Sequence, residues 1–483
     1  MNEKSREILD VFKQISSIPR CSKREAHISQ WLKQWAGAKG FAVQNDPAGN
    51  VKINVAAGSG YENAPGIVFQ GHLDMVCEKT PNSNHDFSKD PIQLIYDGEW
   101  LRADNTSLGA DNGIAVAMGV VLANDSSLGH PALELLFTVD EETGLNGAKM
   151  LEPGFVNGKI LLNLDSETEG VFTVGCAGAR DTHVHADLGF AKLSDDNELF
   201  KLRVQGLQGG HSGIDIHRQR ANANKIIAGA LDHIKKACDI RLVSIQGGTA
   251  HNAIPRDAAA TIACNKAHIG TMQQIVTDFK QTVQSEYAAI EKNMALSLLQ
   301  IDKNSIDKMA LTSEDTDRVI DLLLNLPHGP KDMSAAFKDL VETSSNLATI
   351  AIENTTLQIL TSQRSSVMSN LDEMTATVEA TAAQSGAETR RENEYPPWQP
   401  DMNSALLQRC KDLYNQIFDQ DAVVQVIHAG LECAIIGAKY PGMDMISFGP
   451  TIENPHSPDE GLYIPSVERV WKFLVALLKS FRE

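Results

Sequence analysis

Three acids in a row, Asp140, Glu141 and Glu142, follow directly on an apolar run over 133–139. Adjacent carboxylates repel and raise one another's pKa unless a cation sits between or beside them. The pattern returns elsewhere. An apolar run over 67–76 carries His72 and Asp74, whose one-residue gap puts both side chains on one side of an extended chain. Asp74 is therefore placed to orient a His72 ring that binds metal. The run 159–165 closes on Asp165, and 444–450 leads into a loop carrying His456. Asp111, at the end of a loop over 104–113 rich in glycine and asparagine, opens an apolar helix over 114–123. Each feature alone has a plainer reading: a solvated acidic loop, a satisfied histidine, a helix N-cap. Together, His and acid positions at successive strand ends form a metal constellation, because the carboxyl ends of strands in open α/β sheets converge on ligands.

The elements that must position these residues are legible from periodicity. Stripes at helical spacing predict helices over 5–16 and 23–39, and 41–44 with 51–55 form a hairpin around Asp46-Pro-Ala-Gly-Asn50. Buried, continuous apolar strands predict an α/β catalytic domain with a mostly parallel sheet flanked by helices, built from 1–186 and 397–483. Between them, 187–396 reads as an inserted α+β segment. It has strands at 199–205, 240–246, 258–264, 347–352 and 357–363, and helices at 219–237, 270–294, 313–325 and 369–384. It suggests two related βαβ-type halves without a convincing sequence repeat. Closing helices are expected over 403–417 and 466–481.

At 483 residues the chain exceeds one ordinary core. A net charge of −19 argues against nucleic acid and anionic membrane as partners and suits a protein that gathers divalent cations. Seven cysteines scattered without a CxxC pair read as reduced, buried thiols. The start is charged from Glu3 onward, with no apolar core of a signal peptide, and the longest uncharged apolar stretch, 113–124, is too short to span a bilayer. The expected location is cytoplasmic.

Gly71-His-Leu-Asp-Met-Val, Leu108-Gly-Ala-Asp-Asn-Gly, Asp140-Glu-Glu-Thr-Gly and Gly210-His-Ser-Gly resemble the di-zinc aminopeptidase/aminoacylase superfamily. Asn252-Ala-Ile-Pro-Arg, His428-Ala-Gly-Leu-Glu-Cys and Gly449-Pro-Thr with Pro455-His-Ser-Pro-Asp-Glu resemble, within it, the bacterial aminoacyl-histidine dipeptidases, over nearly the whole length. The resemblance implies a zinc-peptidase-like fold in which 187–396 is a lid and dimerisation domain. It implies that Asp111 bridges two metals, with His72 and Asp165 on one and Glu142 and His456 on the other. Asp74 would orient His72, and Glu141 would be the general base for a water held between the metals. Asp rather than Glu at position 165 goes, in this superfamily, with cleavage beside a free α-amine. In the lid, the resemblance assigns His211 to the scissile carbonyl oxygen and Arg364 to the substrate carboxylate, with Asn252 as a further substrate contact.

The implied activity is metal-dependent hydrolysis of short peptides with a free N-terminus, Xaa-His dipeptides such as carnosine in particular, by a homodimer. Zinc suits the nitrogen and oxygen donors, and manganese or cobalt are admitted. Three other readings stay open: an N-acyl amino acid deacylase of the same superfamily, a dinuclear phosphoesterase, and a metal-binding homologue without catalysis. A phosphoesterase would be expected to carry basic residues around its metals, and an intact Glu141 has no use in a silent homologue.

Overall fold

Strands that are apolar on both faces belong in the middle of a sheet. In the computed structural model, which describes residues 2–302 and 309–482, the strands bearing the candidate donors lie there side by side. The sheet runs Ala42–Asn45, Val51–Val55, Leu133–Thr138, Ile67–His72, Ile160–Asn163, Asp444–Ser447, Val171–Cys176, Val423–Ile427. The four central strands are parallel; Ala42–Asn45, Val51–Val55 and Val171–Cys176 join antiparallel. Every residue of Ile67–His72 and Ile160–Asn163 is buried. The carboxyl ends of four neighbouring strands therefore open on one edge, as their pattern of apolar runs closed by acids predicts.

Glu3–Ser16 buries Ile8, Leu9, Phe12 and Ile15 along one stripe, and Asn2 caps it by accepting the Ser5 N–H at 2.8 Å. Ala110–Asn124 is different: all residues from Ala110 to Ala123 are buried, as expected of a helix apolar all round. Its close seat on the sheet needs Gly119, where an added Cβ would lie 2.9 Å from the Phe137 ring and 3.1 Å from that of Phe69. The predicted hairpin forms, and Asp46 holds its turn by accepting the N–H groups of Gly49 and Asn50 at 3.0 and 2.9 Å.

The chain divides into two compact units. One comprises Met1–Cys176, Trp398–Val426 and Leu431–Glu483; the other comprises Ala177–Pro397 with Ile427–Gly430. The sequence placed the start of the insertion at 187, at the end of the strand Gly178–Asp187. That strand pairs with Thr356–Ser365 and so lies in the second unit.

The second unit contains one long antiparallel sheet, ordered Ala295–Ile301, Asn197–Gln205, Ala258–Asn265, Ile240–Gly247, Val341–Glu353, Thr356–Ser365, Gly178–Asp187, Glu388–Tyr395. It is two halves of the same topology. In the first, Asn197–Gln205, helix Ala223–Ala237, Ile240–Gly247, Ala258–Asn265, helix Ile269–Glu286 and Ala295–Ile301 make a βαββαβ unit. In the second, Gly178–Asp187, helix Ser313–Asn325, Val341–Glu353, Thr356–Ser365, helix Met368–Gln384 and Glu388–Tyr395 repeat that order, with the first half inserted after the opening strand. They join edge to edge where Gln246 and Gly247 pair with Ala351 and Ile350, over a shared core that includes Leu231, Leu242, Leu347 and Val378.

One expectation is corrected. Seven reduced thiols were expected, but Cys21 and Cys77 form a disulfide across a separation of 56 residues. The pairing of Cys21 with Met75 brings the two Cα atoms to 5.7 Å, a proximity that spacing along the chain does not reveal. The other five cysteines are buried and outside any disulfide. Among the described residues, no helix is long and apolar enough to cross a membrane.

Candidate metal centre

Asp111 is the middle of the site. Its residue has non-helical backbone at the head of the buried helix, so its carboxylate leaves the helix axis rather than capping it. Asp111 Oδ1 lies 3.1 Å from His72 Nε2, and Oδ2 lies 3.0 Å from His456 Nε2. His72 Nε2 is also 3.3 Å from Asp165 Oδ1, and His456 Nε2 is 3.0 Å from Glu142 Oε2. Two triads result, His72–Asp111–Asp165 and Asp111–Glu142–His456, each with its donor atoms within 4.8 Å of one another. His72, Glu141 and Glu142 meet the same limit.

These donors suit divalent ions. Imidazole nitrogen with carboxylate oxygen is the set that zinc, manganese and cobalt take, and Glu142 Oε1 is buried without a hydrogen-bond partner. The acid density also calls for compensating charge. Burial, then the charge of Asp111, pushes Glu142 up to about 7. Burial pushes the Glu141 carboxyl well above the usual range, with Glu142, Asp165 and Glu432 adding to it and His72 opposing. Burial alone would lower His456, yet its hydrogen bonds to Asp111 and Glu142 hold it up at about 11.

Those shifts set a pH dependence. A group whose pKa is raised by folding stabilises the fold fully below its ordinary pKa, and the contribution is lost as pH rises through the folded value. For Glu142 the window runs from 4.5 to about 7; for His456 it runs from 6.5 to about 11. Bound cations replace these protons. The melting temperature of the metal-loaded protein should therefore exceed that of the chelated protein by a margin that widens from about pH 5.5 to about pH 8.5. A margin constant with pH would count against these groups as the ligands.

Asp74 does more than its spacing suggests. Its Oδ1 is 3.4 Å from His72 Nδ1, and burial notwithstanding, His72 together with the hydrogen bonds it accepts holds its pKa down to about 2. Asp74 also accepts the backbone N–H of Glu141 at 3.0 Å and of Glu142 at 3.2 Å, and the Ser22 hydroxyl at 2.8 Å. It thus fixes the turn that presents both glutamates. A fourth acidic group, Glu25, Asp74 and Asp140, is part of this support, since Glu25 accepts the Asp140 N–H at 3.0 Å.

Several residues here escaped the sequence reading. Asn112 Oδ1 accepts the His72 N–H at 3.2 Å while its amide donates to Leu164 O at 2.7 Å, tying two ligand strands together. Beneath them the buried Glu432 receives Gln70 at 2.5 Å and lies 2.6 Å from the Thr138 hydroxyl, and Gln70 in turn accepts from Asn163 at 2.5 Å. Glu167 is a further carboxyl of the centre: burial, then Asp111, raises it to about 8. Asn112 and Glu432 stand inside motifs that the sequence singles out, without a role of their own there; for the others, a lone polar residue after or within a strand gives no signal.

The remaining three candidates lie in the second unit. His211 and Asn252 are neighbours, since Gly210–His211 pairs with Ala253–Ile254 and the Ser212 N–H donates to Asn252 O at 2.7 Å. His211 Nδ1 accepts the N–H groups of Gly213 and Ile214 at 3.1 and 3.0 Å, which leaves the proton of a neutral ring on Nε2. Arg364 is buried and donates to the Tyr395 hydroxyl at 3.0 Å, with its Nε unpartnered. Near it His428 is 2.7 Å from the Ser344 hydroxyl and is held down to about 3 by burial, with Arg364, His211 and His217 adding to the effect.

A central parallel sheet with two acid–imidazole triads at its carboxyl edge defines a metallopeptidase-like catalytic unit, and residues 202–291 match the family described as peptidase dimerisation domain. The chain is 40% identical over 471 residues to the cytosol non-specific dipeptidase of Escherichia coli K12, covering 98% of this chain and 96% of that one. The crystal structure of aminoacylhistidine dipeptidase from Vibrio alginolyticus superposes with a TM-score of 0.86 at 38% identity, over 98% of this chain and 96% of that one. Aminopeptidase PepT from Bacillus cereus shares the fold, with a TM-score of 0.57 at 16% identity over 99% of each chain. The chain belongs to the aminoacyl-histidine dipeptidase family of metallopeptidases, and it is a metal-dependent dipeptidase.

Proposed function

We propose that the enzyme hydrolyses dipeptides bearing a free α-amine, Xaa-His dipeptides such as carnosine foremost, with two zinc ions that manganese or cobalt can replace. What supports this most is Asp111, one carboxylate whose two oxygens face His72 and His456. Asp111 would then be shared, with His72 and Asp165 the residues that would hold one ion and Glu142 and His456 the other. When bound, the ions supply the positive charge that acidifies water and stabilises an oxyanion. Glu141 takes the proton of the attacking water and returns it to the leaving amine. Asp74 holds Glu141, Glu142 and the His72 ring in place. His211 donates from Nε2 to the developing oxyanion, Asn252 contacts the substrate beside it, and Arg364 receives the substrate carboxylate. The protein works in the cytoplasm as a homodimer.

The second reading is a broader dipeptidase, favoured by the 40% identity to a relative named non-specific. A panel of β-alanyl-histidine, glycyl-histidine, alanyl-leucine, a tripeptide and an N-acetyl amino acid, with and without chelator, separates the readings. Chelator-sensitive cleavage of the Xaa-His dipeptides above all others supports the first. Equal cleavage of alanyl-leucine supports the second, and cleavage of the acetylated substrate would overturn both.

Arg364 has its own test. A guanidinium pairing with a carboxylate through two hydrogen bonds is worth about 1.5–3 kcal/mol, so Arg364→Lys should lower kcat/KM by about 10- to 100-fold. The parent should discriminate against a dipeptide whose C-terminus is amidated, and Arg364→Ala should erase that discrimination. A variant that still prefers the free acid would remove Arg364 from the substrate site.

A further inference from the structure

The loop that delivers Asp111 is gripped from behind by a residue the reaction does not use. Glu460 is 2% exposed and belongs to the segment that follows His456. Its Oε2 accepts the N–H groups of Leu108 and Gly109 at 2.7 and 2.9 Å, and its Oε1 those of Ala110 and Asp111 at 2.8 and 3.3 Å. Four successive amides converge on one carboxylate. Gly109 makes this possible, with φ at +70°, where side chains are disfavoured, and an added Cβ there would lie 2.5 Å from Arg20 Nη2. On the other side, the buried Arg20 donates to Gly109 O, to Leu73 O at 3.0 Å and to Asp74 O at 2.8 Å. The loop is held between an anion that takes its N–H groups and a cation that takes its carbonyl.

We propose that Glu460 is the positioning residue of the metal centre: by collecting the amides of 108–111 it sets where the Asp111 carboxylate lies between His72 and His456. This rests on the dinuclear reading above. Glu460 also ties the Asp111 loop to the segment that carries His456, and so links two of the three members of the second triad. Four amides occupy the carboxylate, which keeps it from competing as a ligand.

The test is Glu460→Gln, which keeps the volume but turns one acceptor into an NH2 donor that must face N–H groups. Full-length protein stripped of metal is titrated with Mn2+ by calorimetry, beside the parent and Glu453→Gln, an exposed control on the short strand Ile452–Glu453 that precedes the loop. Loss of support behind a ligand weakens metal binding by about 10- to 100-fold. The expected result is a dissociation constant raised by that factor for both ions in Glu460→Gln alone, with excess Mn2+ restoring kcat at an unchanged KM. Glu460→Asp, which keeps the charge but is one methylene too short to reach all four amides, should fall in between and serves if the glutamine variant fails to fold. Parent-like Mn2+ affinity in Glu460→Gln, or a loss of kcat that excess metal does not repair, overturns the proposal. A parent that binds fewer than two ions would instead overturn the dinuclear reading itself.

Discussion

Glu141→Gln protein is expected to bind two divalent ions as the parent does and to hydrolyse β-alanyl-histidine about 10² to 10⁴ times more slowly, with little change in KM. The separation of effects follows from the geometry. Glu142, not Glu141, faces His456 and shares the second triad with Asp111, so neutralising Glu141 leaves both donor triads complete. The backbone of Glu141 is pinned by Asp74, so the glutamine should occupy the same place with a side chain that cannot take a proton. Burial and nearby acids raise Glu141 in the metal-free protein; bound cations reverse that electrostatic balance and keep the base ionised at working pH. Metal analysis and steady-state kinetics on the same preparation check the point. A variant carrying two ions and turning over at the parental rate would remove Glu141 from the mechanism.

Asp111→Asn should be more damaging still, and in a different way. Both imidazoles of the centre point their Nε2 atoms at this one carboxylate. Asparagine keeps the shape but offers one oxygen and an NH2 group. We expect metal affinity to fall by at least about 100-fold, with no more than one ion retained, and turnover to fall below detection. In the metal-free protein the same change removes the charge that follows burial in raising Glu142, so Glu142 should titrate lower in the variant. Calorimetric titration and carboxyl NMR read the two effects. Retention of two ions at parental affinity would mean that the triads do not share Asp111.

The candidate ligands were legible because they close apolar runs, open an apolar helix or, for His456, sit in the loop that follows such a run, and strand ends in a parallel sheet have to meet. What holds the ligands was not. Glu460 and Arg20 act on backbone groups of segments remote in sequence; Glu460 stands in the motif that carries His456, but its place in that motif does not show what it holds, and nothing in its neighbours marks Arg20. Glu432 sits beneath the site because the helix Glu432–Lys439 starts there, a fact of packing rather than of pattern. The strand Gly178–Asp187 was missed because Arg180, Asp181 and Thr182 are buried polar residues that interrupt the apolar signal. Helix Ile269–Glu286 ends eight residues before the predicted 294, since hydrophobic spacing runs on through Tyr287 and Ile290 after the helix has stopped. The two halves of the insertion were visible only as a suspicion. Their likeness lies in strand order, which sequence similarity no longer carries, and one half interrupts the other.

That interruption has an evolutionary consequence. When a paired structure is assembled from two identical chains, every substitution appears twice and both partners must tolerate it. Here the paired halves are encoded separately, so each can drift alone. His211 hangs from the first half, between Asn197–Gln205 and Ala223–Ala237, and Arg364 stands on the strand Thr356–Ser365 of the second. Selection can tune the oxyanion contact proposed for His211 without copying the change onto the carboxylate contact proposed for Arg364, a freedom in specificity that a symmetric pair lacks.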